Sequence, residues 1–285
     1  MDKTNFILRL SLVKGIGIAT KVKIYRFVKK HDYWDLTLTE AKNFAKGKQI
    51  YDWEFWNEEN LERIKQQHHY LTIESDRYPE ELKQLPVPPL VLYYKGNLSL
   101  LEEKSLAIVG ARAASDYGFQ LIKQFMPSLI KHRFVIVSGL AKGIDSYAHQ
   151  FAISSSGKTI GVIGTGLDIC YPRESANLQI EMAKNHLLLS EYINGTPPSR
   201  FHFPMRNRII AGLGQGVLVI EAKQKSGSLI TAQQALDYGK EVFAVPGDVL
   251  NGRSSGCHQL IQDGALCVEK VQDIFDSFHL LKKIR

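Results

Sequence analysis

Six short apolar runs separated by stretches of helical periodicity set the tightest limit on what this chain can become. They lie at residues 106–109, 134–137, 159–163, 186–189, 217–221 and 242–245, and most end at Gly, Ser or Pro. Runs this short suit buried strands. Their alternation with helices predicts an α/β domain with a mostly parallel sheet covered by helices on both faces. In open sheets of this kind ligands lie beyond the carboxyl ends of the strands. Function is therefore sought in VGARAAS, VSGLAKGID, IGTGLDICYPR, SEYINGTPPSRFHFPMRNR and EAKQKSGSLITA.

The first of these has the fullest local signature. LAIV stops at Gly110, Arg112 follows, and Ser115 and Asp116 are placed to cap a helix whose apolar face includes Phe119, Ile122 and Phe125. This is the order of a nucleotide-fold first crossover, with Arg112 where such a fold presents its ligand. After the second and third runs, Ser138, Gly139, Lys142 and Gly164 could bring backbone amides, a hydroxyl and a charge to a phosphate. The same glycines would also serve tight turns alone, and the sequence allows both uses. SRFHFPMRNRIIAG carries Arg200, Arg206 and Arg208 with no acid between Ser199 and Gly212, and is expected to form a basic loop at the ligand edge. Guanidinium forks suit phosphate oxygens, while Phe201, His202 and Phe203 either stack on bases or anchor the loop.

Residues 1–65 read as a small helical domain, with apolar positions at Phe6, Leu10, Val13, Val22, Ile24, Phe27 and Val28 and later at Trp53, Trp56, Leu61 and Ile64. Inside it, LVKGIGIATKVKIYRFV resembles a helix-hairpin-helix element, whose turn can meet a phosphate; a purely structural turn is the preferred reading. From Tyr70 two strand-like runs, 71–74 and 90–94, flank a Pro-rich connection and are grouped with a large domain over residues 66–285.

Composition removes several function classes. The chain has 285 residues, 44% hydrophobic and 23% charged, as in ordinary soluble proteins, and lacks a membrane-length apolar run or a signal peptide. A cytoplasmic protein without a membrane partner is expected. Three cysteines with no Cys-x-x-Cys pair indicate neither a disulfide framework nor a zinc site. The formal charge of +7 suits a polyanion partner, but residues 1–65 hold 13 basic against 9 acidic residues, leaving only +3 for the rest. An anion site in the large domain must come from local clustering.

Two apparent motifs fail on context. AISSSGKT lacks the first glycine of a P-loop and leads into a strand rather than following one. Ser138, Asp145 and His149 contain the residue types of a triad, yet Asp145 and His149 are spaced as a local helical pair and no nucleophile elbow is present. With no histidine spacing for a metal either, the inventory favours binding over catalysis.

Taken together, GARAAS, VSGLAKGIDSYAH, GTGLDICYPRE, FPMRNRIIAG, SGSLITAQQAL and AVPGD followed by GCHQLIQDGA closely resemble the DNA-processing protein A family, DprA/Smf, in order from about Tyr70 to Asp276. The resemblance implies an extended Rossmann-like domain that binds and protects single-stranded DNA and helps load the RecA recombinase during natural transformation. It implies no cofactor, metal or catalytic residue. By matching motif, the DNA site would use Gly110, Arg112, Ser138, Gly139, Lys142, Gly164, Arg173, Arg200, Arg206 and Arg208. Ala111 stands where many members have Ser or Thr, and Arg173 and Arg200 where Lys is frequent, so charge is kept and hydrogen bonding differs. No winged-helix domain of the kind some members append is expected after Arg285. A homodimer is expected through the C-terminal part, where Leu260, Ile261, Leu266, Val268, Ile274 and Phe278 exceed what a terminal segment needs.

The alternative is an enzyme, a Rossmann-like nucleotide phosphoribohydrolase of the lysine-decarboxylase-like group. Glu221 is present for it, but EAKQKSGSLITA lacks that group's glycine cluster and downstream Glu. A dinucleotide-binding scaffold is disfavoured, since no Gly-x-Gly-x-x-Gly opens a helix after the first strand.

Overall fold

The computed structural model describes residues 1–284. The chain forms two compact units, Met1–Tyr94 and Lys95–Arg285.

The first unit contains α1 (Lys3–Leu12), α2 (Ile18–His31), α3 (Leu38–Phe44), α4 (Glu58–Gln67), β1 (Tyr70–Thr72) and α5 (Glu80–Lys83), and its end falls within β2 (Val91–Gly96). Helices α1, α3 and α4 start where side chains satisfy their first amides. Asp2 accepts from the Asn5 amide, Asn57 from that of Asn60, and Thr37 and Glu40 form a reciprocal capping box. Phe6 packs edge-on against Trp34 and Trp53 at the centre of the unit. The unit runs past residue 65 because α2 grips the segment after α4: Tyr25 and Lys29 both bond Glu74, and Arg26 donates to the carbonyls of Leu85 and Pro86. β1 and β2 then pair antiparallel, Tyr70 opposite Tyr93.

The Gly-x-Gly turn before α2 is committed to packing. Gly15 has φ +91°, a Cβ there would lie 2.0 Å from the Gln49 carbonyl oxygen, and Lys14 forms a β-bridge with Tyr51.

The second unit runs β3 (Ser105–Val109), α6 (Asp116–Lys131), β4 (Val135–Ser138), α7 (Ile144–Ser154), β5 (Thr159–Ile163), α8 (Ala176–Asn185), β6 (Leu187–Ser190), α9 (His202–Leu213), β7 (Gly216–Val219), α10 (Gly227–Asp237), β8 (Glu241–Ala244), α11 (Ser255–Gln262), β9 (Leu266–Cys267) and α12 (Val271–Ile284). Strands β3 to β9 lie in the order β6-β5-β4-β3-β7-β8-β9, every neighbouring pair parallel. All six expected runs are strands; the two-residue β9 is too short to register in sequence.

Alternation along the strands sorts their side chains to two faces. Leu106, Ile108, Ile136, Leu218, Ile220, Phe243 and Val245 meet Ile122, Phe125, Met126 and Leu129 of α6 and Ile144 and Ala148 of α7. Val268, Ile274 and Phe275 complete that core, with Leu266 and Phe278 packed against it. Four of the six apolar C-terminal residues are thus drawn inward, leaving Leu260 and Ile261 half-buried on α11.

The chain leaves β3 through β4, β5 and β6 in one direction and returns on its other side as β7, β8 and β9. The strand order reverses between β3 and β7, and a crevice opens at their carboxyl ends.

Candidate functional site

A cleft of about 920 Å³ occupies that position. The turn 110–113 after β3 forms one wall, and Glu221 and Lys223 after β7 lie beside it. Arg200 comes from the loop after β6, Phe203 and Arg206 from α9, and Ser226, Gly227 and Ser228 from the start of α10. A narrower annex of about 130 Å³ shares Arg112, Tyr171, Phe203 and Arg206, and reaches Gly139, Lys142 and Gly164 at the ends of β4 and β5.

The exposed charges lining both spaces are all cationic: Arg112, Lys142, Arg200, Lys223 and Arg253. The acids in the lining, Asp145 and Glu221, are buried and committed to protein partners. The N-terminus of α10 faces the cleft with Gly227 and Ser228, so unpaired amides and the helix dipole add to the positive character. Aromatic rings support the cations. Arg112 lies 5.8 Å from the Phe203 ring, Phe203 stacks on Tyr171 at 5.6 Å, and Arg200 sits 4.8 Å from the ring of Phe201, which is 67% exposed.

Seven of the ten residues singled out in the sequence line the cleft or annex: Gly110, Arg112, Gly139, Lys142, Gly164, Arg200 and Arg206. Lys142 is paired with Glu174 at 2.6 Å. Gly139 is required for a reason other than phosphate approach, because a Cβ there would lie 1.3 Å from Arg206 Nη1. Arg206 itself is buried beneath the cleft, donating to the Val162 carbonyl at 3.0 Å and lying 4.0 Å from Asp145. Burial lowers the Arg206 pKa and raises that of Asp145, each opposed by the charge of the other.

The structure does not bring the remaining three into the cleft. Ser138 is buried and donates its hydroxyl to the Ile108 carbonyl at 2.6 Å, tying β4 to β3. Arg173 is exposed on a single 3-10 turn, Arg173–Ser175. Arg208 is buried, with Nη2 2.6 and 2.7 Å from the two carboxylate oxygens of Glu191. The basic segment is a loop only as far as Phe201; from His202 it is α9, which carries Arg206 and Arg208 into the interior.

Asp145 and His149 do not form the local pair expected of their spacing. Asp145 faces Arg206, whereas His149 Nδ1 lies 2.6 Å from Thr159 Oγ1, which donates to the Ile136 carbonyl. Burial pushes the His149 pKa down to about 3, with nearby Arg206 acting in the same direction. Glu221 accepts from the Ser115 amide at 3.0 Å and its hydroxyl at 2.7 Å, which fixes the start of α6, and Arg253 approaches it at 3.7 Å. Among the described residues, no group of three His, Cys, Asp or Glu is placed to hold a metal. No described helix is long and apolar enough to cross a membrane.

Sequence reasoning missed Arg253, Lys223 and Tyr171 as lining residues. Lys223 and Tyr171 stand inside the strand-end segments EAKQKSGSLITA and IGTGLDICYPR, whereas Arg253 follows β8 and lies outside all five such segments.

Fold and cleft together define a Rossmann-like α/β protein with a cation-lined crevice at its topological switch point. The profile of the DNA recombination-mediator protein A family matches residues 69–279, and the chain belongs to that family. It is 51% identical over 207 residues to DNA processing protein DprA of Streptococcus pneumoniae, covering 73% of each chain. It is 37% identical over 288 residues to protein Smf of Escherichia coli, covering 97% of this chain and 75% of that one. The X-ray structure of the Streptococcus pneumoniae protein superposes with a TM-score of 0.88 at 41% identity, covering 97% of this chain and 98% of that one. A structure of DNA processing protein A from Helicobacter pylori, described for its single-stranded DNA binding mode, gives a TM-score of 0.66 at 32% identity, covering 76% of this chain and 98% of that one.

Proposed function

We propose that this protein binds single-stranded DNA in the strand-end cleft, in the service of recombination and natural transformation, and that it does so without hydrolysing its ligand. The observation that carries the reading is the lining: each exposed charge is a cation, and aromatic rings lie among the cations. Phosphates meet guanidinium and ammonium groups there, while unstacked bases meet ring faces, a combination suited to single strands. The relatives' names and the single-stranded DNA binding mode described for the Helicobacter pylori protein support the same ligand class. Against the phosphoribohydrolase alternative, Glu221 is 1% exposed and holds Ser115. Family membership further supports transfer of the bound strand to RecA, a cytoplasmic setting and a homodimer, for which the half-buried Leu260 and Ile261 offer apolar surface.

Titration with labelled oligonucleotides across a salt series tests the reading. About four phosphate contacts in the cleft contribute about −3 to the log-log slope, from roughly −0.7 per contact on single strands. An affinity independent of salt overturns it. Turnover of a nucleoside monophosphate that disappears in Glu221→Gln would establish the enzyme instead.

A further inference from the structure

Helix α2 carries two groups of cations with different fates. Lys29 pairs with Glu74 at 2.6 Å, Arg26 donates to the Leu85 and Pro86 carbonyls, and Lys21 donates to that of Ser11, so these charges are used within the first unit. On another side of the helix, Lys23, Lys30 and His31 each lie three or four residues from Phe27, and all four are exposed. Phe27 is 38% exposed, and its ring lies 4.6 Å from that of His31 and 5.2 Å from that of Phe44, the last residue of α3. Exposed Lys46 and Lys48 follow Phe44 closely in the chain. Among the described residues, none of Lys23, Lys30, Lys46 and Lys48 meets a carboxylate. The acids of this stretch are engaged elsewhere: Asp32 with the Trp34 indole, Asp35 with the N-terminal amine and Glu40 with the Thr37 amide.

We propose that this face of the first unit is a second contact surface for single-stranded DNA, separate from the strand-end cleft, with lysines on phosphates and Phe27 beside an unstacked base. The ligand class rests on the function proposed above; the location does not. Cations interleaved with exposed rings match a polymer that alternates phosphates with π-faces. An acidic peptide would use the lysines but leave Phe27 and His31 unused, and a duplex keeps its base faces stacked within itself.

The test uses the full chain, a labelled oligo(dT) and a hairpin duplex of equal length. In an Arg112→Ala/Arg200→Ala background, adding Lys23→Gln/Lys30→Gln/Lys46→Gln lowers residual single-strand affinity about tenfold or more. With the cleft intact, the same triple change makes the log-log salt slope shallower by about 2, from roughly 0.7 per lost contact. Phe27→Ala lowers single-strand affinity about fivefold or more and duplex affinity less, as loss of base stacking requires. Because Phe27 also packs on Phe44, Phe27→Leu serves as a second variant that keeps apolar contact and loses the ring. Unchanged affinity and slope in the triple variant overturn the proposal, as does equal loss for single strand and duplex in both Phe27 variants. Full binding by the cleft variant, lost on adding the triple change, would instead overturn the cleft and sustain this surface.

Discussion

Arg200 and Arg208 belong to one uninterrupted basic segment, yet they occupy opposite environments. Arg200, on the loop before α9, is exposed and lies over Phe201; Arg208, inside α9, is buried against Glu191. Arg206, between them in sequence, is buried under the cleft beside Asp145. What separates them is the partner. A guanidinium loses its hydration at high cost unless a carboxylate and carbonyls replace it, so a matched acid draws it inward and its absence leaves it for a ligand. Positive charge in this molecule therefore divides into cations that hold the fold and cations available to an anion.

That division can be broken by measurement. The largest effect is expected where a buried pair loses one member. Arg208→Ala leaves Glu191 without its partner, and Arg206→Ala does the same to Asp145, each costing about 3–5 kcal/mol of stability in urea unfolding. A loss near zero for either would place it among the free cations.

The next effect is one of pH. Folded His149 stays neutral down to about pH 3, beside the buried Arg206, whereas in the unfolded chain it takes up a proton below its ordinary value of 6.5. Its contribution is thus present at neutral pH and lost as pH falls through that window. Between pH 7 and pH 5 this one group removes about 2 kcal/mol. Urea midpoints at the two values should show the drop in the native chain and a smaller one in His149→Gln.

Smaller again is the effect on binding of removing a free cation. Arg112→Ala and Arg200→Ala should each weaken single-strand affinity about five- to tenfold, to a similar extent across sequences, and reduce the salt slope by roughly 0.7. Smallest is their effect on stability, within about 0.5 kcal/mol by thermal or urea unfolding. If Arg112→Ala destabilised the fold as much as Arg208→Ala, the contrast between the two kinds of arginine would fail.

Most of the frame was legible because it rests on local signals. The runs 106–109, 159–163 and 242–245 stop at turn-forming residues, and Ser115 caps α6 as its position suggests, accepting from the Gly118 amide. Arg112 and Lys142 were legible for the same reason, since a strand end places them directly. The fates of Arg206 and Arg208 were hidden because Asp145 lies 61 positions before Arg206 and Glu191 lies across a turn before Arg208, so neither pairing leaves a local pattern. Starting α9 at His202 also required seeing that Pro204 falls in its first turn, where proline is tolerated. The extent of the first unit was obscured similarly: its hold on residues 70–94 runs through Tyr25, Arg26 and Lys29, whose partners are remote in sequence.

The interlock of Gly139 with Arg206 constrains the order in which this protein can change. With Arg206 in place, any β-carbon at position 139 collides with its guanidinium; once Arg206 is shortened, that collision is gone but Asp145 has lost its counter-charge. Neither single step is neutral, so positions 139, 145 and 206 form an epistatic unit. A lineage could revise it only by crossing a less stable intermediate, since replacing Asp145 first would strand the buried Arg206 charge in turn, and mutational scans should find the tolerated residues at 139 set by what stands at 206.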